Sequence, residues 1–390
     1  MPQTTPETTP DDAPATVADL LSPTDPACWL RGGDGLIGQG AQATRQFDNP
    51  AQAAAWWFAR HGDHGAPSIE PSERPIAFVS FPFDHDSAES CVVVAPERVV
   101  RTRGLPLHHD PLPAPLPVTS CPGTLDHAAW SDAVTAAVTR IDAGEVEKVV
   151  LARDEILAAD QPIDSRHLIV RLSALYPTTW VFSVAGLIGA TPELLVSLED
   201  GRITSRVLAG TIARGPAASD SPHPNDPDLL ADQLTASEKD LAEHRFAVDS
   251  VAEALRPYCS TLEVPTAPRI LTLPNVLHLA TDIVGTAKPG VDVITLAAAI
   301  HPSAAVCGHP RDRALALIRE LESLDRRRYA GPVGWVDSAG DGAIGLALRC
   351  GHLEADRLHI YAGCGIVAGS DPDAEYAESE AKLRPMRDAL

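Results

Sequence analysis

The stretch GPVGWVDSAGDGAIGLALRCGHLEADRLHIYAGCGIVAG, residues 331–369, decides the fold class of this chain. Short apolar runs alternate in it with turn residues, and SAGDG at 338–342 separates two of these runs in the way a hairpin turn does. Similar strand patterns occur upstream, at 148–157, 179–186, 194–210 and 267–273. Because strands linked by hairpins dominate and helices are grouped between them, we expect an α+β chain with large antiparallel sheets rather than a doubly wound fold.

Composition divides the chain into three regions. Residues 1–24 are rich in Thr, Pro and Asp, so we expect a disordered N-terminal tail. Residues 25–124 form the N-terminal portion of the fold and end in a proline-rich connection, 104–124, where we expect no regular structure. Residues 125–390 form the main region, with helical patterns at 127–145, 237–258, 310–324 and 371–390.

The charge of the chain limits its partners. A formal net charge of −22 argues against nucleic acid or an anionic membrane surface, since both repel a strongly acidic protein. An anionic substrate would need a locally positive pocket or a bound divalent cation. Clusters of acidic residues are therefore candidate metal sites.

Cysteine usage and the N-terminus indicate a cytoplasmic protein. The seven cysteines are scattered and never occur in CxxC spacing, which is typical of reduced thiols. The N-terminus lacks the basic and apolar regions of a secretory signal. No apolar run reaches the roughly 18–20 residues that a membrane span requires.

Two predicted helices carry acidic residues at spacings that place them on one helical face. The groups are Asp240, Glu243 and His244 on the first helix, and Glu375, Glu378 and Lys382 on the second. If the two faces meet, four carboxylates surround a small volume, and such a cluster of oxygen ligands suits Mg²⁺. Spacing alone favours the alternative, in which both faces are solvated surfaces.

Lys148 and Glu193 are candidates for proton transfer. Lys148 opens an apolar strand, where burial would lower its pKa toward that of a general base. Glu193 follows Pro192 between two apolar segments, and an apolar site would keep its carboxyl protonated. The alternatives are a strand-end lysine that reaches water and a turn glutamate, and these are favoured from the residues alone.

Several further positions could bind an anionic group. Arg349 is a charge in an otherwise apolar strand, and it could pair with a substrate carboxylate or with an internal acid. The segments 208–211 and 362–369 contain glycines that could present backbone N–H groups to a carboxylate, or could form tight turns. His278 is either a structural histidine or a substrate contact.

The region from about 125 to 390 resembles the chorismate-utilising enzymes, a family that includes isochorismate, salicylate, anthranilate and aminodeoxychorismate synthases. The resemblance rests on motifs that occur in this order: KVVLAR, ATPELL, LAGT, SEKDLAEH, NVLHLATDIVG, HPSAAVCG, YAGPVGW, LALRC, YAGCGIV and YAESEAK. It implies a large structure of two antiparallel sheets flanked by helices, like that of anthranilate synthase component I.

The resemblance also implies roles for the residues that match the family. Lys148 matches the general base that activates water for attack at ring C2, and Glu193 matches the general acid that protonates the departing C4 hydroxyl. Glu243 and Glu378 match ligands of Mg²⁺, with Asp240 and Glu375 around them. The positions that match substrate contacts are Gly210, Thr211, His278, Ala305, Arg349, Gly363, Gly365 and Lys382.

Within the family, the chain is most similar to the isochorismate synthases. A lysine at 148 is typical of members that use water as the nucleophile, whereas ammonia users generally carry glutamine. Asp240 and the pair Ala305-Val306 favour the same group, although leucine is the usual partner of that alanine. The run at 325–329 is more basic than the resemblance leads us to expect, and the resemblance implies no role for it. The resemblance implies an Mg²⁺-dependent isomerase, a cytoplasmic monomer that acts on chorismate and supplies siderophore or menaquinone synthesis. The alternatives are a salicylate synthase and a non-catalytic binding protein on the same scaffold.

Overall fold

A computed structural model of the chain describes residues 15–62, 70–109, 111–213, 226–272 and 276–390. The strands are β1 (Cys28–Arg31), β2 (Asp34–Phe47), β3 (Ile76–Ser80), β4 (Cys91–Thr102), β5 (Val118–Pro122), β6 (Lys148–Ala159), β7 (Trp180–Val184), β8 (Leu187–Thr191), β9 (Leu194–Glu199), β10 (Arg202–Ala213), β11 (Cys259–Glu263), β12 (Arg269–Thr272), β13 (Val276–Ala287), β14 (Gly308–His309), β15 (Pro332–Asp337), β16 (Gly342–Leu346), β17 (Cys350–Glu354) and β18 (Arg357–Ile366). The helices are α1 (Val17–Leu20), α2 (Pro50–His61), α3 (His127–Asp142), α4 (Ser165–Leu175), α5 (Pro227–Ala236), α6 (Glu238–Leu255), α7 (Val293–Ile300), α8 (Arg311–Leu321) and α9 (Pro372–Ala389).

The strands form one ribbon of antiparallel neighbours, which confirms the expected α+β class. From one edge, the order is β5–β6–β18–β17–β8–β7–β1–β2–β4–β3–β15–β16–β9–β10–β13. β11 and β12 both pair with β13, and β14 pairs with the start of β6. We call β5, β6, β18, β17, β8 and β7 the first half of the ribbon, and β3, β15, β16, β9, β10 and β13 the second half.

Two short links carry the chain directly between the halves. Residues 192–193 connect β8 to β9, and residues 347–349 connect β16 to β17. Because β8 pairs with β17 and β9 pairs with β16, the two links lie side by side. The arrangement is fixed by backbone hydrogen bonds, in which Leu346 N donates to Glu193 O at 3.1 Å and Ala190 N donates to Arg349 O at 3.0 Å.

Helix α9 is held against the first half by a buried charge on β6. Its N-terminus is capped by Asp371, whose side chain accepts from Ala374 N. Arg153, 4% exposed, donates to Ser379 Oγ at 2.6 Å and pairs with Glu380. These contacts set the position of the residues one turn earlier on α9.

The structure confirms some local predictions and corrects others. The hairpin predicted at 338–342 is present, because β15 and β16 pair across it. The prediction that 104–124 lacks regular structure is wrong for β5, which pairs with β6 at the edge of the ribbon. An edge strand tolerates Pro122, since a proline there removes no interior hydrogen bond. The tail expected to be disordered through residue 24 contains α1, with Thr16 and Asp19 in a capping box, whereas residues 1–14 lie outside the described residues.

Two large hydrophobic clusters pack against the ribbon, and Leu234, Leu277 and Leu279 form a third, small one. The larger includes the fully buried rings of Trp57, Phe78 and Trp130. The smaller of these two combines Leu168 of α4 with Met386 of α9, so the last turns of α9 lie in the core. Within the described residues, no helix has both the length and the apolar composition of a membrane span.

Candidate active site

Glu193 lies on the first link, directly beside the second. Its backbone N donates to Thr191 Oγ1 at 3.2 Å, and its carbonyl oxygen accepts from Leu346 N. A Cβ at Gly345 would lie 2.8 Å from the same oxygen, so only glycine permits this close approach. The backbone of Glu193 is therefore fixed on both sides.

Burial controls the protonation of Glu193. Its side chain is half-buried, and the loss of solvent raises the pKa of its carboxyl from 4.5 to about 7. The positive charges of Arg349, Lys148 and Lys382 act in the opposite direction, so the effect of burial exceeds theirs. A glutamic acid that keeps its proton near neutral pH can serve as a proton donor.

Lys148 is the first residue of β6, and its side chain lies beside a glycine of β18. A Cβ at Gly365 would lie 3.0 Å from Lys148 Cε and 3.5 Å from its Nζ. The absence of a side chain at residue 365 thus leaves room for the lysine. Because the half-buried Lys148 also acts electrostatically on Glu193, the structure brings the two candidates for proton transfer into one site.

Lys382 connects α9 to β18 at Gly363. Its Nζ donates to Gly363 O at 2.8 Å and pairs with Glu378 Oε1 at 2.5 Å. A Cβ at Gly363 would lie 3.0 Å from the hydroxyl of Tyr329, whose ring stacks on Tyr361 with centroids 5.1 Å apart. Tyr329 belongs to the motif YAGPVGW, but nothing in its spacing indicates that its hydroxyl lies at this site. It is therefore a site residue that sequence reasoning missed.

Arg349 lies on the second link in a left-handed conformation, with φ of 49°. Its positive charge acts on both Glu193 and His278. In the part of the chain that the structure describes, its guanidinium makes no hydrogen bond or salt bridge. Pairing with an internal acid is thus not observed among these residues, and a substrate carboxylate remains the partner that suits it.

His278 lies on β13 and is uncharged near neutral pH. Burial, together with the positive charges of Arg349 and Lys382, lowers the pKa of its imidazole to about 4. Its backbone pairs with that of Thr211 on β10, next to a bulge where Gly210 has φ of 74°. A neutral imidazole can donate or accept one hydrogen bond without adding charge to the site.

The acidic residues at the start of α9 are arranged in a way that suits a cation. One oxygen of Glu375, one oxygen of Glu378 and Sγ of Cys364 lie within 4.8 Å of one another. Ser370 Oγ donates to Glu375 Oε1 at 2.8 Å. Burial raises the pKa of Glu375, and the charge of Glu378 raises it further. A divalent cation would relieve this repulsion between carboxylates.

The second acidic helix, α6, is anchored by His244. Its buried imidazole lies 2.7 Å from Thr281 Oγ1 through Nε2 and 3.2 Å from Ala209 O through Nδ1. This places α6 across β10 and β13. The side chains of Asp240, Glu243 and Thr211 lie outside the described residues, so the meeting of the two acidic helix faces stays a prediction.

The basic run at 325–329 has a structural role. Arg326 is buried, donates from Nε to Glu322 Oε2 at 2.9 Å, and donates to Val306 O at 2.9 Å. It thereby supports the turn that contains the half-buried Ala305. The other arginines also have distant partners: Arg327 pairs with Glu89 and Glu354, and Arg328 donates to the carbonyls of Val184 and Ala185.

The charge of the site contrasts with that of the whole chain. Lys148, Arg349 and Lys382 all act on Glu193, in a chain whose formal net charge is −22. This local positive charge, next to a carboxylate pair that suits a cation, favours a small substrate with more than one carboxylate. A proton donor at Glu193 and an amine at Lys148 add the means for acid–base chemistry.

Comparisons with known proteins agree with this chemistry. A family model for chorismate binding enzymes matches residues 98–390. Isochorismate synthase DhbC of Bacillus subtilis is 35% identical over 345 residues, which cover 81% of this chain and 81% of that protein. The structure of MenF, the menaquinone-specific isochorismate synthase of Escherichia coli, has a TM-score of 0.79 at 25% identity and covers 98% of this chain and 92% of that chain.

A third comparison concerns the fold alone. Anthranilate synthase component I of Streptococcus pneumoniae has a TM-score of 0.70 at 21% identity, and the match covers 99% of this chain and 95% of that chain. This likeness confirms the fold that the sequence motifs implied.

Proposed function

The chain belongs to the chorismate binding enzymes, and we propose that it is an isochorismate synthase whose acid–base pair is Glu193 and Lys148. It is an isomerase that converts chorismate to isochorismate, in a pathway toward siderophores or menaquinone. The observation that carries the proposed site is Glu193, held on the link between the sheet halves with a pKa of about 7 beside the side chains of Arg349, Lys148 and Lys382. We further propose that it acts as a cytoplasmic monomer.

The residues of the site divide the reaction between them. Lys148, as the neutral amine, takes a proton from the water that attacks C2 of the ring. Glu193, in its protonated form, gives its proton to the C4 hydroxyl, which leaves as water. In the reverse reaction, from isochorismate to chorismate, each proton transfer runs backwards. The same pair therefore catalyses the isomerisation in both directions.

The substrate is held by the groups around this pair. The guanidinium of Arg349 pairs with one carboxylate of chorismate, because it is free of other partners among the described residues. Backbone groups near Gly363 and Gly365, together with the hydroxyl of Tyr329, border the proposed substrate site. Neutral His278 supplies a hydrogen bond from β13. We propose that Gly210, Thr211 and Ala305 lie at the edge of the substrate.

The carboxylates of the site fit a Mg²⁺ ion. Glu375 and Glu378 have oxygens close enough to share one cation, and we propose that Glu243 and Asp240 of α6 complete the set. When bound, Mg²⁺ offsets the charge of the dianionic substrate and orients one carboxylate. Lys382, which pairs with Glu378, adds a positive charge between the carboxylates and Gly363.

The first experiment is incubation of chorismate with the purified protein, with and without Mg²⁺, followed by identification of products by mass. We expect an Mg²⁺-dependent product isomeric with chorismate. In Lys148→Ala and Glu193→Gln, turnover should fall by about 10²–10⁴-fold, because each change removes one proton transfer. Lys288→Ala and Glu199→Gln are matched controls on exposed residues, and both should retain full activity.

Each other outcome would identify a different function. Salicylate together with pyruvate would show a salicylate synthase, and unchanged chorismate with Mg²⁺ present would favour a non-catalytic binding protein. Retained turnover in Lys148→Ala or Glu193→Gln, with a folded protein by circular dichroism, would remove that residue from the acid–base pair.

A further inference from the structure

We propose that His359 is a positioning residue for substrate binding, which acts through Tyr361 to hold the hydroxyl of Tyr329 at the substrate site. The inference rests on the proposed function, because it takes chorismate to be the ligand that this hydroxyl meets. His359 and Tyr361 belong to β18 and precede Gly363 on the same strand face.

The hydroxyl of Tyr329 is suited to contact a substrate. Tyr329 is 4% exposed, and a Cβ at Gly363 would lie 3.0 Å from its hydroxyl. Among the residues that the structure describes, this hydroxyl has no hydrogen-bond partner. Burial raises the pKa of Tyr329, so the hydroxyl keeps its proton, and the positive charge of Arg349 also acts on it. Tyr329 therefore offers a free hydrogen-bond donor near the arginine proposed to pair with a substrate carboxylate.

Ring stacking fixes the orientation of Tyr329. Its ring lies on that of Tyr361, with centroids 5.1 Å apart and planes 12° apart. The imidazole of His359 also stacks on Tyr361, with centroids 4.5 Å apart. Because stacked rings keep their planes nearly parallel, Tyr361 determines the plane in which the Tyr329 hydroxyl lies.

Tyr361 is itself anchored by His359 and Asp154. The hydroxyl of Tyr361 lies 3.1 Å from Nδ1 of His359, and Nε2 of the same imidazole lies 2.6 Å from Asp154 Oδ2. Burial raises the pKa of Asp154, but hydrogen bonds from His359 and Thr124 outweigh this effect and hold the pKa below its usual value. Nε2 of His359 therefore donates to a carboxylate, and Nδ1 accepts from the hydroxyl of Tyr361.

Loss of the imidazole would release this arrangement. It removes the hydrogen bond that fixes the Tyr361 hydroxyl and one of the rings that pack on Tyr361. The ring of Tyr361 can then rotate, and Tyr329 loses the surface that fixes its plane. Because the Tyr329 hydroxyl holds the bound substrate and takes no part in either proton transfer, the loss appears in KM and leaves kcat nearly unchanged.

The test measures chorismate isomerisation by full-length variants at saturating Mg²⁺. The variants are His359→Ala, His359→Asn, His359→Gln, Tyr329→Phe and the double variant of His359→Ala with Tyr329→Phe. An asparagine amide oxygen can accept from Tyr361 in place of Nδ1, whereas a glutamine amide keeps only the contact with Asp154. The control is His85→Ala, which removes an imidazole whose side chain is 77% exposed and should change neither kcat nor KM.

We expect KM for chorismate to rise about 10–100-fold in Tyr329→Phe, because a hydrogen bond to a charged group is lost. In His359→Ala and His359→Gln it should rise about tenfold, and His359→Asn should restore most of this loss. The double variant should have the same KM as Tyr329→Phe alone, because the hydroxyl through which His359 acts is already absent.

Several outcomes would overturn the inference. One is an unchanged KM in His359→Ala, and another is a double variant in which the two single effects multiply. A third is an equal fall of kcat and of stability in urea in His359→Ala and His359→Asn, which would show a purely structural role. In each case, turnover by the wild type would leave the proposed function standing. If the wild type does not isomerise chorismate, the proposed function fails and this inference falls with it.

Discussion

At the scale of single residues, Glu193 is the residue whose protonation should determine how the rate depends on pH. The residue donates a proton in the proposed reaction, so only its protonated form is active. Its pKa in the folded protein is about 7, raised by burial, and the active form is therefore lost as the pH rises through about 7. Because the reaction also needs Lys148 as the neutral amine, we expect kcat at saturating Mg²⁺ and chorismate to fall about tenfold for each pH unit once Lys148 has lost its proton.

The measurement is a pH–rate profile of the isomerisation from pH 5 to 9, with protein stability checked at each pH. Glu199→Gln should show the same alkaline limb, because residue 199 is exposed and lies outside the site. A profile with no alkaline limb above the pH at which Lys148 loses its proton would show that another group supplies the proton.

From the sequence, only those site residues that lie in recognisable family motifs could be predicted. The roles of Lys148 and Glu193 follow from the family resemblance, whereas spacing alone favours a structural explanation for both. The burial that raises the pKa of Glu193 comes from segments distant in sequence, which periodicity cannot reveal. Tyr329 was missed for the same reason, since its proximity to Gly363 depends on how the strands pair. The run at 325–329 could not be interpreted because the partners of Arg326 include residues as distant as Val150.

At the scale of elements, α9 depends on Arg153 for its position. The guanidinium contacts Ser379 and Glu380, which follow Glu378 directly and lie about one turn beyond Glu375, and it lies 4.3 Å from the ring of Tyr376. We expect Arg153→Met to let the helix shift and to weaken Mg²⁺ binding by about 10–100-fold, as loss of supporting residues does at other metal sites.

The measurement is the Mg²⁺ dependence of the rate, together with Mg²⁺ affinity by calorimetry. Arg153 acts only through the position of the helix. We therefore expect a large rise in the Mg²⁺ concentration that gives the half-maximal rate, and a much smaller change in kcat at saturating Mg²⁺. The control is Arg140→Met. It removes the exposed salt bridges that Arg140 of α3 makes with Glu145 and Glu320, and it should change neither value. Equal losses in both variants would contradict a role for Arg153 in positioning α9.

The connection between α8 and β15 contains a buried ion pair, Glu322 with Arg326. Glu322 Oε1 also accepts from Ala152 N at 2.8 Å, and the Arg326 guanidinium lies 4.1 Å from the ring of Phe83. Glu322→Gln leaves a buried arginine without its counter-charge, so we expect the free energy of unfolding to fall by about 3–5 kcal/mol.

Urea denaturation of the purified variants measures this loss. The exposed neighbour Glu320→Gln is the control, and it should change stability by less than about 1 kcal/mol. The double variant Glu322→Leu with Arg326→Met removes both charges and should be more stable than Glu322→Gln alone. A single variant as stable as the wild type would show that the pair is solvated.

Most elements could be predicted, because their apolar periodicity is local. The helix predicted at 371–390 appears as α9, and the strand predicted at 148–157 appears as β6. Exceptions arise where tertiary pairing overrides local signals. β5 forms despite the prolines around it, since β6 offers it an edge to pair with.

At the scale of the whole molecule, the ribbon does not separate at the boundary between residues 124 and 125. β1 lies between β2 and β7, and β3 lies between β4 and β15, so strands from 25–124 pair directly with strands from 125–390. A fragment of residues 125–390 would expose β7 and β15 as unpaired edges. We expect this fragment to aggregate or to lack a cooperative unfolding transition.

Circular dichroism during urea denaturation, with gel filtration, tests this expectation against the full chain. The full chain should unfold in one transition, because the pairing is continuous from β5 to β13. A fragment that unfolds cooperatively and isomerises chorismate would show that 125–390 is an independent domain.

The two links are so short that an inserted or deleted residue in either would disturb the proposed site. Two residues join β8 to β9 and three join β16 to β17, and each link carries one residue of the proposed site. One inserted residue at either link would displace the following strand by about 3.3 Å and reverse the faces of its side chains. The hairpin turns at the opposite ends of these strands, such as 185–186 and 355–356, carry no residue of the proposed site. Insertions and deletions among homologous chains should therefore collect at those turns, while both links keep a constant number of residues.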